Sequence, residues 1–304
     1  MTLTEMRYIV ALARERHFGK AAEACHVSQP TLSVAIKKVE GQIGSGLFER
    51  TANDVRITAL GERIVDQARR VLEEAVKLEE IAEATGDPLS GQLRVGIIYT
   101  IAPYLLPQLI PGLSREAPAM PLFLKEDFTA NLVPALKAGE LDVIVIALPF
   151  AEPGLVAQPV YDEPFRVVVP AGHPWVGRPN IPAAELEGQN LLLLGQGNCF
   201  RDQVLESCPR LSGHEGQAHA LEGSSLETIR YMVASGAGVA VMPSTAADPL
   251  VEREPMVRVL PFAGTPPSRT VGLVWRVTYP RPQAIDALRA ALLSCQLPGA
   301  TPRR

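Results

Sequence analysis

The sequence predicts an all-α amino-terminal domain, a long linking helix and a larger α/β domain, and three observations carry that prediction. Residues 1–58 hold two short helical patterns around a turn, and residues 59–86 keep a heptad-like apolar seam. From Leu93 onward, short apolar runs alternate with helical stretches. At 304 residues and 47% hydrophobic content the chain is long enough for two domains with separate cores.

In HFGKAAEACHVSQPTLSVAIKKVEGQIGSGLFER, the small residues Ala21, Ala22 and Cys25 begin a helical pattern that breaks at His26-Val27. Ser28 suits an N-cap, and Pro30 suits the first helical turn, where no amide hydrogen is needed. Leu32, Ile36 and Val39 then fall on one inward face. Two short helices around such a turn make a helix-turn-helix, whose second helix presents Gln29, Thr31, Ser33 and Lys37 outward. Periodicity alone favours the plainer reading, an ordinary helical hairpin with a solvated face.

Charge neither requires nor forbids a polyanion partner. The chain carries 29 Lys and Arg against 33 Asp and Glu, net -4, which argues against nucleic acid taken as a whole. Residues 1–58 hold 8 of the basic and 6 of the acidic residues, so the only positive balance, a modest one, lies there.

Thr58 is a candidate N-cap for the long helix, with Leu60, Ile64, Ala68, Val71, Ala75, Leu78 and Ala82 along its seam. About 28 residues at 1.5 Å each span about 42 Å, more than a small domain covers, so the helix is expected to pair with a second copy. GDPLSG, residues 86–91, breaks it as a hinge. No apolar run approaches the roughly 18 residues of a membrane span, and the chain reads as cytoplasmic.

In the second domain, LRVGII, PLFLKE, LDVIVIAL, FRVVVP and LLLLGQG read as strands separated by helices, the pattern of parallel sheets covered on both faces. GSSLETIRYMVASGAGVAVMP reads as a helix capped by Ser224 with Glu227, then a buried strand. Open α/β sheets bind ligands beyond the carboxyl ends of their strands. Thr100, closing the first strand, and Thr129, opening a helix, are placed to offer hydroxyls to a cleft; both also fit as ordinary caps.

The four cysteines are Cys25, Cys199, Cys208 and Cys295, too few and too scattered for a disulfide framework in a reducing compartment. Cys25 and Cys295 read as packed small hydrophobes. Cys199 precedes the helical FRDQVLES, where the helix dipole and Arg201 are expected to lower its pKa and Asp202 to oppose them. Nine helical residues would separate the Cα atoms of Cys199 and Cys208 by about 13 to 14 Å, against the roughly 7 Å a disulfide tolerates. Bonding the two would require the segment to rebuild. A zinc site would need further ligands, with only His214 and His219 nearby, while two unreactive helix cysteines fit the spacing equally well.

AAEACHVSQPTLSVAIKKVEGQIGSGLFER resembles the winged helix-turn-helix of LysR-type transcriptional regulators. The resemblance extends over nearly the whole chain to the peroxide-sensing members of that family, through IAPYLLPQLIP, YDEPF, HPW, CFRDQVLESCP and SSLETIRYMVASGAGV. It implies a winged domain over 1–58, a dimerisation helix and hinge over 59–90, and a regulatory domain of periplasmic-binding-protein type over 91–304. That domain would divide into one subdomain of about 91–162 with 270–304 and a second of about 163–269, the chain crossing near Tyr161 to Phe165 and near Ser268 to Thr270.

The resemblance further implies DNA contacts from Ser28, Gln29, Pro30, Thr31, Ser33 and Lys37, and from Arg50 and Arg56 of a wing spanning Arg50 to Ile57. It implies oxidation of Cys199 to a sulfenic acid by hydrogen peroxide and resolution by Cys208, in a pocket of Thr100, Thr129, Asp202 and Arg269. Where many members have histidine before the first cysteine, this chain has Asn198, which cannot titrate. Promoter DNA, RNA polymerase and further copies of the chain, as a dimer assembling to a tetramer, are the implied partners. No metal or cofactor and no enzymatic turnover are expected. A regulator binding a small organic effector in the same cleft, and a thiol peroxidase, are the competing readings.

Overall fold

The computed structural model describes residues 1–50, 55–83, 87–207 and 222–303, and the chain forms two units that divide near residue 85. The amino-terminal unit begins with α1 (Leu3–Glu15), α2 (Phe18–Ala24) and α3 (Gln29–Ile43). Thr2 and Glu5 form a reciprocal capping box on α1, and Glu5 also takes an ion pair from Lys38 at 2.8 Å, tying α1 to α3. Ser28 caps α3 by accepting from the Thr31 N–H, with Pro30 in the first turn. Leu32, Ile36 and Val39 are buried with Ile9, Leu12, Ala21 and Ala22, as the spacing predicts.

The wing starts earlier than Arg50. It is an antiparallel pair of β1 (Phe48–Arg50) and β2 (Val55–Ile57), because Phe48 belongs to the core and the Glu40 carboxylate accepts the N–H groups of Leu47 and Phe48. The side chain of Arg50 and residues 51–54 lie outside the described residues.

Thr58 accepts the Gly61 N–H and so caps α4 (Ala59–Glu83), whose 25 residues span about 38 Å. Its first turns are not solvent-facing on all sides. Gly61, Val65 and Ala68 are buried, and a Cβ on Gly61 would stand 2.2 Å from the Leu47 carbonyl oxygen. Leu60 and Ile64 of the predicted seam also pack on this unit's core, whereas Leu78 is 72% exposed. Ala82 and the end of the predicted seam lie outside the described side chains.

The second unit is built on a ten-stranded mixed sheet. Its elements are β3 (Leu93–Ile97), α5 (Ala102–Glu116), β4 (Leu122–Glu126), α6 (Thr129–Lys137), β5 (Val143–Leu148), β6 (Leu155–Pro170), β7 (Leu191–Leu194) and α7 (Cys199–Ser207). They continue with β8 (Glu222–Gly223), α8 (Leu226–Ala234), β9 (Val239–Pro243), α9 (Ser244–Ala247), α10 (Leu250–Arg253), β10 (Val257–Pro261), β11 (Ser268–Arg276), α11 (Pro282–Ser294) and β12 (Thr301–Pro302).

The expected parallel pairs are present: β3 with β4 and β5, and β7 with β8 and β9. The sheets are not wholly parallel, since β11 runs antiparallel to β5 and β6, and β6 runs antiparallel to β9 and β10. FRVVVP is thus the second half of a 16-residue strand, not a strand by itself. One half of β6 pairs with β11 and the other with β9 and β10, so two hydrophobic cores lie along one strand. The cap of α8 is Ser225, one residue later than the sequence reading, with its hydroxyl accepting the Thr228 N–H. Ahead of β3, Arg281 donates to the carbonyls of Pro88, Ser90, Gly91 and Gln92, clamping the turn that follows the linker.

Candidate functional site

Three loops converge beside Cys199. Ile98, Tyr99 and Thr100 follow β3, Asp127 and Phe128 lead into α6 at Thr129, and Gly197 and Asn198 lead into α7 at Cys199; these residues line a small open pocket with space for about one water-sized molecule. β3, β4 and β7 all deliver these loops from their carboxyl ends, which is where open α/β sheets place ligand sites. Gly197 turns the chain at φ +90°, a conformation that disfavours a side chain, and Asn198 is buried with its amide Nδ2 donating to the Gly195 carbonyl at 3.0 Å. Asn198 therefore fastens the turn that starts α7.

Thr100 does not close β3, which ends at Ile97; it lies in the turn before α5 and is buried there. Arg269, from β11, donates from Nη1 to the Thr100 hydroxyl at 2.8 Å and from Nη2 to its carbonyl at 2.9 Å. The hydroxyl oxygen is an acceptor in that contact, so its own proton remains to be donated. Nε of Arg269 donates to Glu163 at 2.7 Å, and both side chains are fully buried. Thr245 completes the network, its N–H and hydroxyl both donating to the other oxygen of Glu163. The guanidinium also lies 5.2 Å from the centre of the Phe200 ring, which packs edge-on against Phe165.

The Cys199 thiol behaves differently from the expectation based on α7 and Arg201. Burial pushes its pKa above the ordinary thiol value, outweighing the Arg269 charge, a hydrogen bond from Thr129 and one from the Phe200 N–H. Asp202 adds to the upward shift, as expected. Arg201 is not the activating charge, because its Nη1 is held by the Leu194 carbonyl and by Glu222, each at 2.8 Å.

Of the residues singled out in the sequence, Thr100, Thr129, Asn198 and Cys199 line one cavity, and Arg269 reaches it through Thr100. Asp202 stands exposed on α7 and is not part of the cavity wall. Cys208, His214 and His219 lie outside the described residues, and α7 is described as helical through Ser207. Sequence reasoning missed Glu163, Thr245, Tyr99, Asp127 and Phe128. The second of the two acids in YDEPF was the available signal, since a carboxylate buried within an apolar strand requires a partner.

On the amino-terminal unit, Gln29, Pro30, Thr31, Lys37 and Arg56 are exposed and Ser33 is half-buried. The Ser28 and Thr31 hydroxyls are 2.7 Å apart, so capping occupies part of their hydrogen-bonding capacity. Val34, also overlooked, is 67% exposed and lies four residues from Pro30 and three from Lys37, on the same face.

Comparison with known proteins agrees with both halves. Residues 3–62 match the bacterial regulatory helix-turn-helix of the lysR family, and residues 86–295 match the LysR substrate binding domain. The chain is 40% identical to the DNA-binding transcriptional dual regulator OxyR of Escherichia coli over 292 residues, 96% of this chain and 95% of that one. Among solved structures, a full-length OxyR from Pseudomonas aeruginosa with aspartate in place of a cysteine is similar over 100% of this chain and 99% of that one, at 50% identity and a TM-score of 0.75. A cysteine-to-serine OxyR from Corynebacterium glutamicum with hydrogen peroxide bound is 33% identical, covering 96% of this chain and 91% of that one, with a TM-score of 0.65. The chain belongs to the LysR family of bacterial helix-turn-helix regulators, and within it to the OxyR group.

Proposed function

We propose that the protein is a DNA-binding transcription regulator that detects hydrogen peroxide through Cys199. The observation that carries this reading is the placement of one thiol in a small cavity where Thr129 hydrogen-bonds the sulfur and Thr100, fixed by Arg269, has a hydroxyl proton to donate. Cys199 thiolate attacks one peroxide oxygen, the O–O bond breaks, and hydroxide leaves with a proton as water while sulfur becomes a sulfenic acid. Condensation with the Cys208 thiol releases a second water and forms the disulfide. In the helical form, the eight rises from Cys199 to Ser207 extend about 12 Å, so the disulfide requires α7 to unwind.

Residues 1–58 serve as the DNA-reading domain, 59–90 as dimerisation helix and hinge, and 91–304 as the sensing domain. Gln29, Pro30, Thr31, Ser33, Lys37, Arg50 and Arg56 contact promoter DNA, with Ser28 holding the start of α3. Pairing through the exposed part of α4 gives a dimer, dimers assemble to a tetramer, and the disulfide alters their arrangement and their contact with RNA polymerase. The protein signals and does not turn over peroxide as an enzyme. Among the described residues no helix is long and apolar enough to cross a membrane, in keeping with action on cytoplasmic DNA.

The test is mass mapping of thiols before and after one equivalent of peroxide, with DNA footprinting of both samples. A Cys199–Cys208 disulfide and a changed footprint are expected in the wild type, no response in Cys199→Ser, and a trapped sulfenic acid in Cys208→Ser. A footprint indifferent to peroxide would favour a small organic effector, and sustained peroxide consumption with a thiol reductant would favour a peroxidase.

A further inference from the structure

After α11 the chain runs back over the point where β6 passes from one core to the other, and it touches both sides. The Gln296 N–H donates to Gln108 Oε1 of α5 at 2.7 Å, and Gln108 Nε2 donates to the Gln296 carbonyl at 2.9 Å. Leu297 then enters the core that holds α5 and α11. Gly299, at φ +69°, lies against α9, which packs in the other core. A Cβ there would stand 2.6 Å from Ser244 Cβ and 2.6 Å from a carboxylate oxygen of Asp248, so only glycine fits. Thr301 and Pro302 form β12 opposite Asp162 and Tyr161. The Arg303 N–H donates to the Val160 carbonyl at 2.7 Å, and its Nε donates to Asp162 Oδ2 at 2.6 Å.

Both landing points are chain neighbours of the residues that hold Arg269. Ser244 precedes Thr245, whose N–H and hydroxyl donate to Glu163, and Asp162 precedes Glu163 itself. In the β6–β11 ladder Asp162 stands opposite Thr270 and Glu163 opposite Arg269. Successive residues of a strand face opposite sides. Glu163, Arg269 and Thr100 are thus linked on one face, while Asp162 takes the Thr270 hydroxyl at 2.6 Å and Arg303 on the other.

We propose that residues 296–303 form a strap that positions Arg269, and through it the Thr100 hydroxyl, for oxidation of Cys199, with Gly299 and Arg303 as positioning residues that touch no reactant. The proposal rests on the peroxide reading above and adds residues that set its rate from the far face of the sheet. Arg269 transmits the position because Nε, Nη1 and Nη2 are all engaged, so a shift of β6 or α9 is passed on to Thr100. Displacements of about 1 Å are enough to slow a well-aligned reaction. The Arg303–Asp162 pair is 52% exposed on the arginine side, and such pairs add little to stability, so its loss acts on position more than on folding.

The experiment follows loss of the Cys199 thiol under hydrogen peroxide by stopped flow in the reduced full-length protein, with the denaturation midpoint of each variant measured alongside. Gly299→Ala and Arg303→Gln are each expected to slow oxidation about 2- to 30-fold, the range for residues coupled through a packed network, and Arg303→Lys, which keeps the ion pair, to restore the rate. In a Thr100→Val background, where the hydroxyl is already gone, the same two substitutions are expected to change the rate by about twofold or less. A merely structural strap would lower the midpoint and slow both backgrounds alike, and that equal slowing would overturn the proposal. Unchanged rates in Gly299→Ala and Arg303→Gln would overturn it too. Should Gly299→Ala not fold, Arg303→Gln carries the comparison across both backgrounds by itself. A wild type whose Cys199 is not oxidised by peroxide would defeat the peroxide reading itself, whereas normal oxidation with insensitive variants defeats only the strap.

Discussion

Arg269 holds Thr100 by two oxygens at once, hydroxyl at 2.8 Å and carbonyl at 2.9 Å, while its Nε is spent on Glu163. All three contacts fix the guanidinium away from open solvent, and on the proposed reading it would aim the Thr100 proton at a peroxide and place a positive charge near sulfur. Thr100→Val keeps the shape and loses that proton. Its oxidation of Cys199 should slow about 10- to 100-fold, the worth of one hydrogen bond to a charged group, as read by stopped-flow thiol loss.

Glu163→Gln should act mainly on stability. It leaves the Arg269 charge buried without its partner, a loss of about 3–5 kcal/mol in comparable pairs, measurable as a lower denaturation midpoint. A variant of unchanged midpoint would mean that Arg269 finds another anion or water.

The upward-shifted Cys199 thiol sets the pH profile of oxidation. Thiolate is the nucleophile, and burial favours the neutral form, so the rate should continue rising through pH 8 to above the ordinary thiol range before reaching its plateau. Removing the Arg269 charge in Arg269→Gln removes a downward influence, which should move the plateau to still higher pH. A rate already flat at pH 7 would contradict the direction of the shift.

DNA recognition separates into two kinds of contact. Gln29→Ala should cost about 1–3 kcal/mol and relax base preference, whereas Lys37→Ala should weaken binding to all sequences alike and reduce the salt slope by about 1. Gel-shift titrations at several salt concentrations distinguish them.

Leu78 is exposed on α4 within a single chain. If that helix pairs between copies, Leu78→Glu should shift the protein toward monomer in sedimentation at micromolar concentration and lower DNA affinity with it.

How far the sequence was legible depended on whether a signal was local. Ser28 and Thr58 as caps, and Leu32, Ile36 and Val39 as the inner face, follow from spacing over a few residues, and the structure has them so. The network around Cys199 is non-local: Glu163, Thr245 and Arg269 meet only because β6, α9 and β11 converge, with more than 80 residues between partners. For the same reason the helix dipole and Arg201 pointed toward a lowered pKa. Burial, which reverses the sign, comes from tertiary packing, and Glu222 takes up Arg201 from twenty-one residues away. The continuity of β6 had no local signal, since Pro159 and Pro164 fall within it, accommodated in the ladder opposite Gly272 and Ser268.

That single long strand has a mechanical consequence. A receptor whose lobes are joined by slack crossovers can swing shut on its ligand, but here β6 carries ladder bonds to partners on either side of the crossing. Bending it sharply would tear hydrogen bonds in both lobes together. The lobes are braced like two leaves on one stiff spine, a build that resists closing as a jaw.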